Sequence, residues 1–231
     1  MTSAVIIALD FQCYERALDF VNLLKPTDCR LKIGKGMFTR FGPDFVKTLV
    51  TMGFDVFLDL KFHDIPTTVA DAITAACDLG VWMVNVHLQG GQAMLTAARK
   101  AVDQSQSAKP LLIGVSVLTS LVDEDLMQLG YQDNTESMVL RLAQLAQQSA
   151  LDGIVCSAQE IVPLRDRFAN SLKLVTPGIR LTSGDDDQRR TMTPKEAVTS
   201  GSDYLVIGRP ITQASDPAAV LQQILTDIRP R

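Results

Sequence analysis

Val56-Phe57-Leu58-Asp59-Leu60-Lys61-Phe62-His63-Asp64-Ile65-Pro66 is the stretch whose reading decides how this chain folds. Its apolar opening, Val56-Phe57-Leu58, reads as a strand buried on both faces, as in a parallel sheet covered by helices. Charge inside such a strand must be paired or used. Asp59 and Lys61 stand two residues apart, so a regular strand sends both side chains to one face. Asp64 follows where Pro66 implies that the strand has ended. Two acids and a lysine at the end of a buried strand point to a site. The plainer alternative is an ion pair that tidies a strand end.

The same rhythm extends outward in both directions. Short apolar runs read as strands at Ala4–Leu9, Arg30–Gly34, Asp55–Leu60, Met83–His87, Leu111–Val117, Gly153–Ser157, Leu172–Thr176 and Tyr204–Ile207. Helical patterns lie between them. Gln12–Leu24 ends before Pro26, and Thr135–Ser149 repeats Met138, Leu142, Leu145 and Ala146 at helical spacing. Thr193-Pro194-Lys195-Glu196 offers an N-cap, a proline at the first helical position and a glutamate at the third. Asp216-Pro217 opens the last helix in the same way. Eight β/α repeats in 231 residues match the size of one α/β domain, a (β/α)8 TIM barrel over residues 1–231; an open doubly wound sheet is the alternative.

The barrel carries a rule of its own: sites form at the C-terminal ends of the strands. Polar residues fall there along the whole chain. Asp10 follows the first strand and Lys32 lies in the second. Asp59, Lys61 and Asp64 end the third, His87 ends the fourth, Thr119 follows the fifth and Ser157 ends the sixth. Pro177-Gly178-Ile179-Arg180 follows the seventh and Gly208-Arg209 the eighth. Each has a dull explanation alone, but together they mark one rim, and the rim favours a site over a stray ion pair.

Composition narrows the partners. The formal net charge is −4, whereas a nucleic-acid surface asks for a basic face. An anionic ligand therefore requires positive charge gathered at the site itself. The four cysteines, Cys13, Cys29, Cys77 and Cys156, are scattered without a Cys-x-x-Cys pair, which reads as free thiols in a reducing cytoplasm rather than a disulfide or zinc framework. The first apolar run is short and ends at Asp10, so it reads as a strand and not as a signal peptide. No run approaches the roughly 18 apolar residues of a membrane span.

Asp59-Leu60-Lys61-Phe62-His63-Asp64-Ile65-Pro66, Leu31-Lys32-Ile33-Gly34, Val175-Thr176-Pro177-Gly178-Ile179-Arg180 and Val206-Ile207-Gly208-Arg209-Pro210 together resemble the orotidine 5'-phosphate decarboxylase family in its bacterial form. The resemblance runs in order along essentially the whole chain. It implies a (β/α)8 barrel acting as a homodimer. The implied reaction removes carbon dioxide from orotidine monophosphate to give uridine monophosphate in pyrimidine synthesis, with no metal and no organic cofactor. It implies Lys61 as proton donor in a charged array with Lys32, Asp59 and Asp64. The Asp64 carboxylate, with Ile65 and Thr68, is implied to reach the neighbouring subunit's site. Asp10 and Lys32 resemble ribose-side contacts, Ser157 a contact to the pyrimidine ring and Thr119 a further ligand contact. Pro177, Arg180, Gln188, Gly208 and Arg209 resemble the phosphate-end contacts, with Gln188 bridging toward the ring.

The implied chemistry makes sense of these residue types. Loss of carbon dioxide from ring carbon 6 leaves an electron pair in the ring plane, orthogonal to the π system. A fixed cation beside that carbon is the direct remedy, since preorganised charge is strongest where water is excluded. An ammonium also delivers the proton. Asp59 and the neighbour's Asp64 would hold and charge Lys61, while Lys32 offsets the two acids.

The loops after strands seven and eight are frequent phosphate sites in barrels, and the Arg209 guanidinium forks onto phosphate oxygens. The segment from Gly178 to Met192 exceeds the roughly 2–6 residues usual for such a connection and reads as a lid over the phosphate. Asp185-Asp186-Asp187 within it lacks the alternating spacing of a calcium loop and reads as solvated. His63 and His87 read as structural, and Trp82 and Met83 as packing residues. Two other functions fit parts of the pattern. One is a magnesium-dependent sugar-phosphate decarboxylase or aldolase, which resembles the Asp-x-Lys-x-x-Asp spacing but needs an acid where Lys32 stands. The other is an inactive nucleotide-binding barrel, which would not need the intact Asp59-Lys61-Asp64 set.

Overall fold

Alternate residues of each strand belong to two different cores. In a computed structural model that describes residues 3–181 and 192–229, Val5, Ile7 and Leu9 pack outward with Leu31, Ile33, Val84, Val86, Leu205 and Ile207 against the helices. Ile6, Phe57, Met83, Ile113, Val175 and Val206 pack inward against one another. A sheet buried on both faces by this period-2 alternation has to close on itself or be sandwiched by helices. Here it does both.

The strands are β1 (Val5–Leu9), β2 (Arg30–Gly34), β3 (Val56–Phe62), β4 (Met83–His87), β5 (Leu111–Val115), β6 (Gly153–Val155), β7 (Lys173–Thr176) and β8 (Tyr204–Ile207). They form a closed parallel barrel in sequence order, β8 pairing back onto β1 through Val5↔Leu205, Ile6↔Val206 and Ile7↔Ile207. The doubly wound alternative is thereby excluded. The helices are α1 (Tyr14–Val21), α2 (Lys35–Thr51), α3 (Pro66–Asp78), α4 (Gly91–Gln104), α5 (Asp123–Gln128), α6 (Thr135–Gln148), α7 (Ile161–Phe168), α8 (Pro194–Thr199), α9 (Arg209–Thr212) and α10 (Pro217–Asp227). Several start as their sequences dictate. The Thr193 backbone N–H donates to Glu196 Oε2 at 2.9 Å while the Glu196 N–H donates back to Thr193 Oγ1 at 3.3 Å, the reciprocal box that satisfies two helix-end donors. Asp216 accepts from the Ala219 N–H at 3.0 Å.

Two strands, β5 and β6, end before their apolar runs do, and the reason is local. Ser116 Oγ donates to the Val155 carbonyl at 2.8 Å, and the Ser157 N–H donates to Glu160 Oε2 at 2.7 Å. These side chains take over backbone groups that the ladder would otherwise use, so β5 ends at Val115 and β6 at Val155. The N-terminal mouth of the barrel is stoppered by Arg30, whose guanidinium lies 4.1 Å from the Trp82 ring centre and pairs with Asp55 at 3.1 Å. The opposite mouth is left for chemistry.

Candidate active site

β3 leaves regular geometry where its charge begins. It pairs with β4 through Leu58↔Val84 and next through Phe62↔Val86, so four steps along β3 match two along β4. The surplus residues form a bulge, a device that re-aims side chains. Lys61 takes up the bend in left-handed conformation, with φ +52°, at a cost of about 1–2 kcal/mol for a residue with a side chain. Simple alternation therefore does not carry Lys61 to the face it shares with Asp59. The bent backbone does, and Lys61 Nζ lies 2.6 Å from Asp59 Oδ1.

Asp59 is the hub of the array. Its other oxygen, Oδ2, lies 2.9 Å from Lys32 Nζ on β2, adjacent through the pairing Gly34↔Asp59. Asn85 on β4, fully buried, donates from Nδ2 to Asp59 Oδ1 at 2.7 Å and accepts the Lys61 backbone N–H at 2.8 Å. Burial by itself would raise the Asp59 carboxyl. The charges of Lys32 and Lys61 outweigh it, helped by the Lys61 and Asn85 hydrogen bonds, and hold the group at about 2. The carboxylate stays ionised between its two lysines.

Above this array opens a cavity of about 430 Å³, within the range of small-ligand sites. Of the residues singled out by sequence, Asp10, Lys32, Asp59, Lys61, Thr119, Pro177, Arg180, Gly208 and Arg209 line it. Four cations, Lys32, Lys61, Arg180 and Arg209, face two acids, Asp10 and Asp59, among the described lining residues. A chain of net charge −4 thus gathers positive charge at this one place, as an anionic ligand demands. Gly178, at φ +81°, turns the chain after β7. Arg180 then bonds through its backbone N–H to the Met192 carbonyl at 3.1 Å. Its Nε is buried without a partner among the described residues. A buried guanidinium donor left open beside a cavity is ready for an acceptor.

Other sequence expectations fall elsewhere. Asp64, Ile65 and Thr68 are exposed and do not line this chain's cavity; Asp64 Oδ1 accepts the Ile65 N–H at 2.6 Å. Ser157 is buried outside the cavity lining, its Oγ without a partner among the described residues. Gln188, Asp185-Asp186-Asp187 and most of the expected lid lie in 182–191, outside the described residues. The His63 and His87 rings lie 5.4 Å apart between centres, tilted by 38°. Burial, then His63, Lys35 and Lys61, push His87 down to about 4 against an opposing pull from Asp59. All four cysteines are free thiols. Asn85 is the site residue that the strand reading passed over. Its signal was present: an amide two residues from Met83 in an apolar strand faces the barrel interior, and a buried amide must find partners.

A closed parallel barrel with a lysine–aspartate–lysine array, its aspartate buried, under a cation-lined cavity defines an enzyme of the (β/α)8-barrel class with an anionic ligand. Comparison with known proteins narrows the class. The family described as orotidine 5'-phosphate decarboxylase / HUMPS matches residues 3–224. The orotidine 5'-phosphate decarboxylase of Tolumonas auensis is 58% identical over 222 residues, covering 95% of this chain and 96% of the relative. That of Vibrio vulnificus is 58% identical over 225 residues, covering 97% of each. The crystal structure of orotidine 5'-phosphate decarboxylase from Lactobacillus acidophilus superimposes with a TM-score of 0.88 at 35% identity, over 98% of this chain and 99% of that one. The chain belongs to the orotidine 5'-phosphate decarboxylase / HUMPS family.

Proposed function

We propose that this chain decarboxylates orotidine 5'-monophosphate to uridine 5'-monophosphate in pyrimidine biosynthesis, without metal or organic cofactor. Family membership and relatives of that name at 58% identity support the substrate. The observation that carries the mechanism is the Lys32–Asp59–Lys61 array at the floor of a cation-lined cavity. The ligand's phosphate lies toward Arg180 and Arg209, with Pro177, Gly208 and Gln188 contributing at that end. Asp10 and Lys32 serve the ribose and Thr119 the ring side; Ser157, buried behind the cavity lining, serves the ring through its open Oγ.

The bond from ring carbon 6 to the carboxylate breaks, carbon dioxide departs, and the electron pair stays on carbon 6. Lys61 ammonium stabilises that pair through space and then transfers a proton to it; solvent later returns the proton to the amine. Asp59 holds Lys61 in place and supplies counter-charge. The second carboxylate near Lys61 is the Asp64 of a partner subunit in a cytoplasmic homodimer, brought in with Ile65 and Thr68. Support for this comes from their exposure and their position away from their own cavity. Among the described residues no helix is long and apolar enough to cross a membrane.

The test is the loss of orotidine monophosphate absorbance with a chelator present. Turnover that persists with chelator supports this reading. Turnover that vanishes with chelator favours the magnesium enzyme, and no turnover favours a binding barrel.

A further inference from the structure

We infer that Asn85 is a positioning residue for this reaction: one buried carboxamide fixes both the bent backbone of Lys61 and the carboxylate of Asp59. The inference rests on the proposed decarboxylation for its kinetic readout and on geometry for its structural one.

The geometry leaves Asn85 a single orientation. The Lys61 backbone N–H can only donate, so it takes the amide oxygen, at 2.8 Å. The ionised Asp59 carboxylate can only accept, so it takes the amide nitrogen, at 2.7 Å. An asparagine is the side chain that offers one acceptor and two donors at this reach. Aspartate has no donor when ionised, and an aliphatic residue has neither group.

The location explains the need. The bulge between Leu58 and Phe62 takes β3 off the β4 ladder over the residues that carry the charge. The Lys61 N–H therefore goes to a side chain of β4 instead of to its backbone. That bond ties the Lys61 backbone, at φ +52°, to β4, and without it the ammonium is free to swing away from Asp59. The same amide stops Asp59 from rotating its Oδ1 away from Lys61. Charged and titratable groups around Asn85 are Asp59 and Lys61 on β3, Lys32 on β2 through Asp59, and His87 two residues on in β4; β5 offers Ile113 in register, which is apolar.

Two variants test this. Asn85→Ala removes both hydrogen bonds, and Asn85→Asp keeps the acceptor for Lys61 but sets a second carboxyl against Asp59. In folded Asn85→Ala, kcat for orotidine monophosphate should fall on the order of 100-fold while KM moves by less than about threefold, because a displaced reacting group costs turnover more than binding. Its crystal structure should show Lys61 out of the left-handed region. In Asn85→Asp, activity should climb as pH falls, because the introduced carboxyl regains a donor once protonated. The unaltered chain should lack that dependence. A merely structural role predicts weaker folding with kcat and pH profile unchanged per folded molecule, and that result overturns the inference. Should the unaltered chain not decarboxylate at all, the proposed reaction fails, and the position of Lys61 in the variant structures still decides the role of Asn85.

Discussion

Lys61 forms its ion pair with a residue of its own strand, Nζ 2.6 Å from Asp59 Oδ1, and does so from left-handed backbone at φ +52°. A regular strand would place the pair on one face with both chains standing roughly parallel. The bend instead turns the lysine back over the carboxylate and leaves its ammonium at the cavity floor. Strain in the backbone and charge in the side chain are thus concentrated at one residue, a pattern typical of functional sites.

Lys61→Ala should lose several orders of magnitude in turnover, since the variant removes both the stabilising charge and the proton source. The fold should persist, because the side chain is only partly buried. Comparison with Lys61→Gly separates chemistry from strain. Both variants should be inactive, but the glycine variant should be the more stable by about 1 kcal/mol, as glycine tolerates positive φ. Denaturant midpoints measure the difference. Equal midpoints would mean that the bend at residue 61 relaxes when the ammonium is gone.

Asp59→Asn should be both inactive and less stable. It leaves the Lys32 and Lys61 ammonium groups, at 2.9 and 2.6 Å from its oxygens, without the carboxylate they share. Removing one member of a buried charged set costs about 3 kcal/mol. The unaltered Asp59, held at about 2 against an ordinary 3.8, stabilises the fold fully above pH 3.8. That contribution fades as pH falls through about 2. Acid titration of stability should therefore show a component in that window that is missing from the variant.

Arg209→Ala should raise KM for the nucleotide by far more than it affects a phosphate-free nucleoside. Arg209 follows β8 and lines the same cavity as Arg180, and barrels often hold phosphate with the loops after strands seven and eight. Steady-state kinetics with both substrates read the contrast, and equal losses would place Arg209 in a role other than phosphate binding.

The barrel was legible because its strands are short, apolar and regularly spaced, and because burial on both faces leaves a continuous apolar run. Arg30–Gly34, Met83–His87 and Tyr204–Ile207 begin and end where the sequence predicts. β5 and β6 end two residues early because Ser116 and the Ser157–Glu160 pair capture backbone groups, a competition that periodicity does not encode. The rim residues were legible by position, since nine of them line one cavity. The conformation of Lys61 was not: alternation brought Asp59 and Lys61 together on paper, while the molecule does it through a bulge. Asn85 escaped because a polar residue inside a strand gives no sign of its partners until the register is known.

His87 should make stability depend on pH well above the carboxylate range. Burial and neighbouring cations lower it to about 4 from 6.5, so the folded chain resists a proton that the unfolded chain accepts. The contribution is whole above pH 6.5 and is lost as pH falls toward 4. The ring is half-buried, so solvent screening reduces the effect to about 1 kcal/mol. The drop in melting temperature between pH 7 and pH 5 should be smaller in His87→Asn than in the unaltered chain. Parallel curves would mean that the ring takes up its proton without penalty.

Asp64 and Lys61 lie close in sequence, yet Asp64 is exposed, uses Oδ1 to hold the Ile65 N–H, and does not line the cavity that Lys61 lines. Next to it Ile65 leaves 63% of its surface to solvent, a position suited to burial against another copy. If the Asp64 carboxylate completes a neighbour's site, Lys61→Ala and Asp64→Ala should each be inactive alone. In a mixed dimer one site lacks both groups. The other takes Lys61 from one chain and Asp64 from the other and is whole. Half of the dimers are mixed after free exchange, so about a quarter of the sites should work in a two-fold assembly. Recovery of that size, measured after subunit exchange is verified by mass, places Asp64 across the interface. No recovery with verified exchange returns it to its own chain.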